Sequence, residues 1–291
     1  METRWLYTSS PDLKDLCEKS KGVCVIPMGC IEKHGLHLPL GADIIQASTI
    51  AYRASQLETV AVFADFAFGD VPAGAPTAPP GTITVPIELQ MQLLEVLCEQ
   101  VARWGFNKIL IYNGHGGNRS WLNVFLRNLS SKKRNYVVAT SMMPLLSPHK
   151  MAEKLLAEGS GSIPELTAED EALLIKYHNE NMAIGHACMG ETSNLMGICP
   201  EAVHLDMLGI ESGKNTHVAD YLKEANISLA DDAWGINRPN AYSGDDPIGC
   251  NERIGKASVR LTAEALAHTV KVYKEDQNII RWKLDEYQKG W

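Results

Sequence analysis

The apolar residues of this chain follow two different periodicities. Predominantly apolar runs occupy residues 22–28 (GVCVIPM), 59–68 (TVAVFADFAF), 108–112 (KILIY) and 135–141 (NYVVATS). Short runs rich in β-branched and aromatic residues predict strands buried on both faces. Between them the apolar positions recur every three or four residues, which predicts helices. Residues 44–57 carry Ile45, Ile50, Ala54 and Leu57. Residues 86–105 carry Leu89, Leu93, Val96, Leu97, Val101 and Trp104 on one face, with Pro86 in the first turn and Gly105 as the stop. Further helices are expected at 12–21, after Pro11, at 121–129, and at 167–182, where Thr167 and Asp170 form a capping pattern. One short helix is expected within 194–208 and one or two long ones across 251–288. Strands alternating with helices in this way predict a parallel sheet with helices on both faces.

Three stretches break the pattern. Residues 69–84 (GDVPAGAPTAPPGTIT) are rich in proline and glycine and nearly uncharged, so they are expected to form a loop of fixed shape that walls a pocket or builds an oligomer contact. Residues 144–166 and 231–250 are expected to be irregular. No repeat, low-complexity tract or linker divides the chain, and one domain over 1–291 is expected.

Composition narrows the function. The chain has 291 residues, 45% of them hydrophobic, and a formal net charge of −8. The only basic run is Lys132-Lys133-Arg134, which argues against nucleic acid and against an anionic membrane surface as partners. No apolar stretch is long enough for a transmembrane helix, and the start METRWLYTSS lacks a signal-peptide pattern. The 7 cysteines are odd in number and form no CxxC pair, so reduced thiols and a cytoplasmic location are expected.

The chemistry concentrates in MGCIEKHGLHLPLGAD, directly after the first strand run. This segment places Glu32, His34, His37 and Asp43 close together, the donor set for Zn²⁺, Mn²⁺ or Fe²⁺. In an extended segment Glu32 and His34, two residues apart, face one side. Gly35, Pro39 and Gly41 can turn the chain so that Asp43 returns to them. Ligands just past the carboxyl end of a parallel strand sit where open α/β sheets place their sites. Cys30, inside the cluster, is expected to be a small buried thiol rather than a nucleophile. A second segment, NGHGGN at 113–118, follows the third strand run and offers His115. It matches neither GxGxxG nor GxxxxGK[ST], so a phosphate loop and a flavodoxin-like nucleotide site lack their contacts. A third segment, HACMGETS, holds His186 and Glu191, which gain meaning only beside the other two.

Together these three segments resemble the creatininase family, creatinine amidohydrolase and its relatives. They occur in family order, and the resemblance covers most of residues 20–195. It implies a three-layer α/β/α sandwich with a mostly parallel sheet, a dinuclear metal site of Zn²⁺ or Mn²⁺, and a homo-oligomer, often a hexamer. Carried over by position, it implies Glu32, His34, Asp43 and His115 as ligands, with Asp43 bridging. Creatininase itself has a ligating glutamate where this chain has Gly117, and an aromatic residue where it has Gly116. The fifth ligand must therefore come from elsewhere, and Glu191 is the candidate; a member other than creatininase is implied.

The reaction expected is hydrolysis by a metal-activated hydroxide that opens a small polar ring at a cyclic amide bond. His186 is the expected proton carrier, with Glu191 as the alternative if it is not a ligand. Opening of a cyclic ketone of the diketo-inositol type and release of formamide are alternatives within the family. A metal-binding structural homologue without catalysis is the alternative outside enzymology.

Overall fold

The computed structural model describes residues 1–71, 79–142, 147–229, 233–243 and 247–288. Its strands are β1 (Val23–Met28), β2 (Ala61–Val62), β3 (Lys108–Asn113) and β4 (Val137–Met142), all parallel, in the order β2-β1-β3-β4. Helices α1 (Leu13–Lys19), α2 (Ala42–Leu57), α3 (Ile87–Arg103) and α4 (Asn118–Ser130) alternate with them. The chain then continues through α5 (Pro148–Glu158), α6 (Ala168–Asn179), α7 (Met189–Ile198), the short α8 (Asp220–Glu224) and α9 (Ala233–Asn237), α10 (Glu252–Glu275) and α11 (Asn278–Gln288).

Strand periodicity divides the core into two layers. Cys24, Ile26 and Met28 of β1, with Ile109 and Ile111 of β3, pack against Leu94, Cys98 and Val101 of α3 and Trp121 and Phe125 of α4. The alternate residues Val23, Val25, Leu110 and Tyr112 pack against Ala47, Ile50 and Ala51 of α2 and Val259, Ala263 and Leu266 of α10. Each fully buried side chain of this kind is worth about 1.5–3 kcal/mol against exposure. The result is the expected three-layer sandwich.

Right-handed crossovers in opposite directions put α2 and α3 on opposite faces. After β1 the chain steps to β2 on one side, then returns to β3 on the other. Pairing runs from Val23↔Lys108 to Met28↔Asn113 and from Lys108↔Val137 to Asn113↔Met142. Met28, Asn113 and Met142 thus share one rung at the carboxyl edge, where the reversal between β1 and β3 opens a crevice.

Three expectations need correction. Residues 59–68 pair as a strand only at Ala61–Val62, with an isolated bridge from Met28 to Phe66. The cause is Pro27, which has no N–H to donate. Phe63 N donates to the Val25 carbonyl, so a regular ladder would bring residue 65 to Pro27, yet Phe66 N takes that carbonyl at 2.8 Å. One extra residue is accommodated as a bulge, a position where proline is tolerated. The region 144–166 contains α5, whose Ser147 side chain caps the Lys150 amide and whose Pro148 sits at the first turn. The helix expected within 194–208 is α7, which starts earlier, at Met189, and ends at Ile198, followed by single 3-10 turns at Pro200–Ala202 and Leu205–Met207. It packs so closely on α10 that a Cβ at Gly255 would fall 1.7 Å from the Ser193 carbonyl. Residues 72–78, 144–146, 231–232 and 244–246, parts of the three segments expected to break the pattern, lie outside the described residues. Among the described residues no helix is long and apolar enough to cross a membrane.

Candidate metal centre

The crevice gathers the five expected ligands and the expected proton carrier His186, but not His37. Glu32 and His34 lie on the loop after β1, Asp43 in the first turn of α2, and His115 just after β3. Glu191 lies in the first turn of α7, and His186 in the segment before it. Asp43 is the junction. Its Oδ2 is 2.7 Å from His115 Nδ1, and its Oδ1 is 3.3 Å from His34 Nε2. Glu32 Oε1 is 3.1 Å from His115 Nδ1 and 3.7 Å from His186 Nδ1, and Glu191 Oε2 is 4.0 Å from His34 Nε2.

Backbone carbonyls set the histidine orientations. His34 Nδ1 donates to the Glu32 carbonyl at 3.1 Å, His115 Nε2 to the Asp70 carbonyl at 2.7 Å, and His186 Nε2 to the Lys33 carbonyl at 2.7 Å. A carbonyl only accepts, so each of these nitrogens carries hydrogen and the other ring nitrogen faces the carboxylates. Oriented imidazoles of this kind are the usual support of a metal site. His37 is also a potential ligand by sequence. The structure turns its Nε2 to the Ala187 carbonyl at 3.2 Å and Thr192 Oγ1 at 3.0 Å, so it braces the third segment instead.

The electrostatics are those of a crowded anionic cage. Burial opposes charge on His34, but the Asp43 carboxylate outweighs it and raises the group to about 10. His115 is likewise raised despite burial, through its hydrogen bond to Asp43 and the nearby Glu32 carboxylate. Asp43 is held low by His34 and His115 against a burial cost. His186 goes the other way: burial, then the nearby His34 charge, lower it to about 4. Burial raises Glu191 to about 7, although its Oε2 accepts the Ala187 amide at 2.6 Å. Burial also raises the Cys30 thiol, whose Sγ lies 3.1 Å from Asp43 Oδ2, so a thiolate is disfavoured there.

The donor set fits divalent cations. Cys30, Glu32, Asp43 and His115 each offer one atom, all within 4.8 Å of one another, as do His34, Asp43 and Glu191. The two groups share Asp43. Ligand bonds of about 2.0–2.2 Å bring ligand atoms to about this spacing. Glu32 Oε1 is buried and accepts no hydrogen bond, although His115 Nδ1 is close. An orphaned carboxylate oxygen beside a ring nitrogen is what a cation satisfies.

A cavity of about 500 Å³ opens onto this cluster. Arg119, Met142, Ile184, Asn194 and Trp234 help line it, and sequence reasoning names none of them for this role. Asn194 carries a signal, since it lies one helical turn after Glu191.

Solved structures of other proteins share the fold that carries this cluster. A glutamate-to-glutamine mutant of creatininase in its Zn–Zn form matches with a TM-score of 0.69 and 15% identity, over 95% of this chain and 100% of that one. A creatininase with Mn matches at 0.68 and 15%, over the same shares. A Bacteroides fragilis NCTC 9343 protein, described as a candidate creatinine amidohydrolase, matches at 0.67 and 22%, over 95% and 99%. Identities this low speak for the fold. Among curated proteins none matches in sequence. The family model described as creatinine amidohydrolase matches residues 7–270, nearly the whole chain, and the chain therefore belongs to the creatininase family.

Proposed function

We propose that this protein is a dinuclear metal-dependent amidohydrolase that opens a small polar cyclic amide. The observation that carries the reading is Asp43, whose two oxygens are divided between His34 and His115. In the proposal Glu32, Asp43 and His115 hold one ion and His34, Asp43 and Glu191 hold the other, with Zn²⁺ or Mn²⁺ as the metal. Such a pair supplies a Lewis acid for a carbonyl oxygen and a water acidified toward neutrality.

The chain's own residues do the rest. Asp43 and Glu32 favour protonated His34 and His115 in the metal-free site, and both rings would release those protons on binding cations, because ligating imidazoles must be neutral. His186 Nδ1 is the proton carrier. Its other nitrogen is occupied by the Lys33 carbonyl, and burial keeps the ring neutral, so Nδ1 has a free lone pair near Glu32. It takes a proton from the attacking water and returns one to the leaving nitrogen. Stacking on His34, with ring centroids 3.9 Å apart, and an edge contact to Trp234 fix its plane.

The test is elemental analysis of gently purified protein, followed by turnover of the Zn²⁺- or Mn²⁺-loaded protein on lactams, cyclic ureides, formamides and inosose derivatives. About two ions per chain and ring-amide hydrolysis are expected. Metal-free protein that keeps full activity in chelator would refute the proposal, and hydrolysis confined to formamides or ring ketones would refute the substrate class.

A further inference from the structure

Among the described residues, two buried polar atoms that accept no hydrogen bond belong to residues lining the cavity: Glu32 Oε1 and Asn194 Oδ1. The first is accounted for by a cation. The second belongs to a residue 4% exposed, and an unpaired buried acceptor is costly unless something arrives to satisfy it.

The orientation of Asn194 is fixed by a chain of amides. Gln46, fully buried, donates Nε2 to the Ala42 carbonyl at 3.2 Å. Its Oε1 is thereby turned to α7 and accepts Asn194 Nδ2 at 2.9 Å. Reversing Gln46 would set its oxygen against the Ala42 carbonyl, and reversing Asn194 would set two amide oxygens together. Asn194 Oδ1 is therefore the atom left over. Gln46 follows Asp43 on α2, and Asn194 follows Glu191 on α7, each by three residues. Residues so spaced are neighbours on a helix face, so the amide pair forms a layer next to the proposed ligands.

We infer that Asn194 Oδ1 accepts an N–H of the substrate, and that Gln46 is a positioning residue that holds it ready to do so. The inference rests on the amide-ring reading above and sharpens it. Ring closure keeps a cyclic amide cis, so its C=O and N–H point the same way. One edge of the ring then offers an oxygen for the metal centre and a hydrogen for Asn194. The substrate class is a small ring amide unsubstituted on the nitrogen, a lactam or a cyclic ureide.

The test compares the binding of 2-pyrrolidinone and N-methyl-2-pyrrolidinone to the metal-loaded full chain by ligand-observed NMR titration, with metal content measured on every sample. The wild type should favour the N–H ring about three- to tenfold, the range of one hydrogen bond. In Asn194→Ala the two rings should bind alike while the metal content is unchanged. Gln46→Met, which leaves Asn194 free to turn, should lose part of the preference. Equal binding to the wild type, a preference that survives Asn194→Ala, or no binding of either ring overturns the inference. So does metal loss in Asn194→Ala, which would make Oδ1 a ligand. A wild-type chain that takes up no metal overturns the amidohydrolase reading as well, whereas two bound ions without ring preference overturn the inference alone.

Discussion

Asp43 and His115 meet at 2.7 Å, Oδ2 against Nδ1, from segments that follow the adjacent strands β1 and β3. The other oxygen of the same carboxylate faces His34 at 3.3 Å. One side chain thus joins both halves of the cluster, and its loss should be felt in both. Asp43→Ala is expected to lose both ions and to drop turnover by about a thousandfold or more, the loss of one interaction of several kcal/mol in the transition state. His34→Ala should leave the Glu32–His115 half better occupied. Elemental analysis of the two variants decides: an Asp43→Ala protein that holds both ions would rule out the bridge.

The resemblance to creatininase implies a glutamate ligand at the position of Gly117, and the geometry here disfavours any side chain there. A Cβ at Gly117 would lie 2.3 Å from the Asp70 carbonyl and 2.6 Å from His115 Nε2, the two atoms whose hydrogen bond orients His115. A Cβ at Gly116 would meet nothing within 4 Å. Gly117→Ala is therefore expected to weaken metal affinity about 10–100-fold without touching a ligand, the usual effect of disturbing a ligand's outer partner. Gly116→Ala should leave affinity unchanged. Competition with a metal chelator reads both, and equal affinities would show that the Asp70 contact does not matter.

The sequence made the sheet and the first ligand segment readable for a physical reason: both are local. The runs leading to Met28 and Tyr112 are almost wholly apolar because β1 and β3 are covered on both faces, and the ligands follow closely. What sequence could not show depended on partners far along the chain. The run 59–68 has strand composition apart from Asp65, but how it pairs past Val62 depends also on the missing donor of Pro27 in another strand. His37 has a ligand's chemistry, and only the arrival of Ala187 and Thr192 diverts it. Ser147-Pro148 is a helix start, yet among several prolines it reads as a break. Glu191 lies in a helix whose apolar pattern is faint because α7 is buried nearly all round, with Thr192, Ser193 and Asn194 among its buried residues.

Asp170 ties α6 to α10. It accepts from the Thr167 amide at 2.9 Å, from Asn251 Nδ2 at 2.8 Å and from Arg253 Nε at 2.6 Å. Burial opposes its charge, but Arg253 and the other donors outweigh that and lower the carboxyl from 3.8 to about 2. A lowered carboxylate adds stability that is complete above its unfolded value and disappears as pH falls through its folded one. The window is therefore between pH 3.8 and about 2. Arg253 is half exposed, so screening trims the contribution to about 1–2 kcal/mol. Urea unfolding should show Asp170→Asn less stable than wild type by about that amount at pH 6. The gap should close through this window, and a gap independent of pH would refute the assignment.

Glu191 is the ligand assignment that departs furthest from the creatininase pattern. A catalytic divalent ion commonly takes three protein ligands and keeps a further position for water. In the proposed site Glu32, Asp43 and His115 would meet that count for one ion, while His34 and Asp43 would leave the other one group short. Glu191 is the carboxylate within reach: it forms a group with His34 and Asp43 whose donor atoms lie within 4.8 Å of one another. One of its oxygens already accepts the Ala187 amide at the start of α7, a role that a glutamine oxygen can also fill. Glu191→Gln should therefore keep the helix start and thermal stability while losing the charge that holds the second ion. The expected result is a fall from about two ions to about one per chain, with turnover lowered at least about tenfold. Two ions retained alongside slow turnover would instead make Glu191 an acid–base group. A metal-loaded crystal structure with its oxygens farther than about 3 Å from both ions would likewise remove it from the ligand set, because true ligand bonds are near about 2.0–2.2 Å.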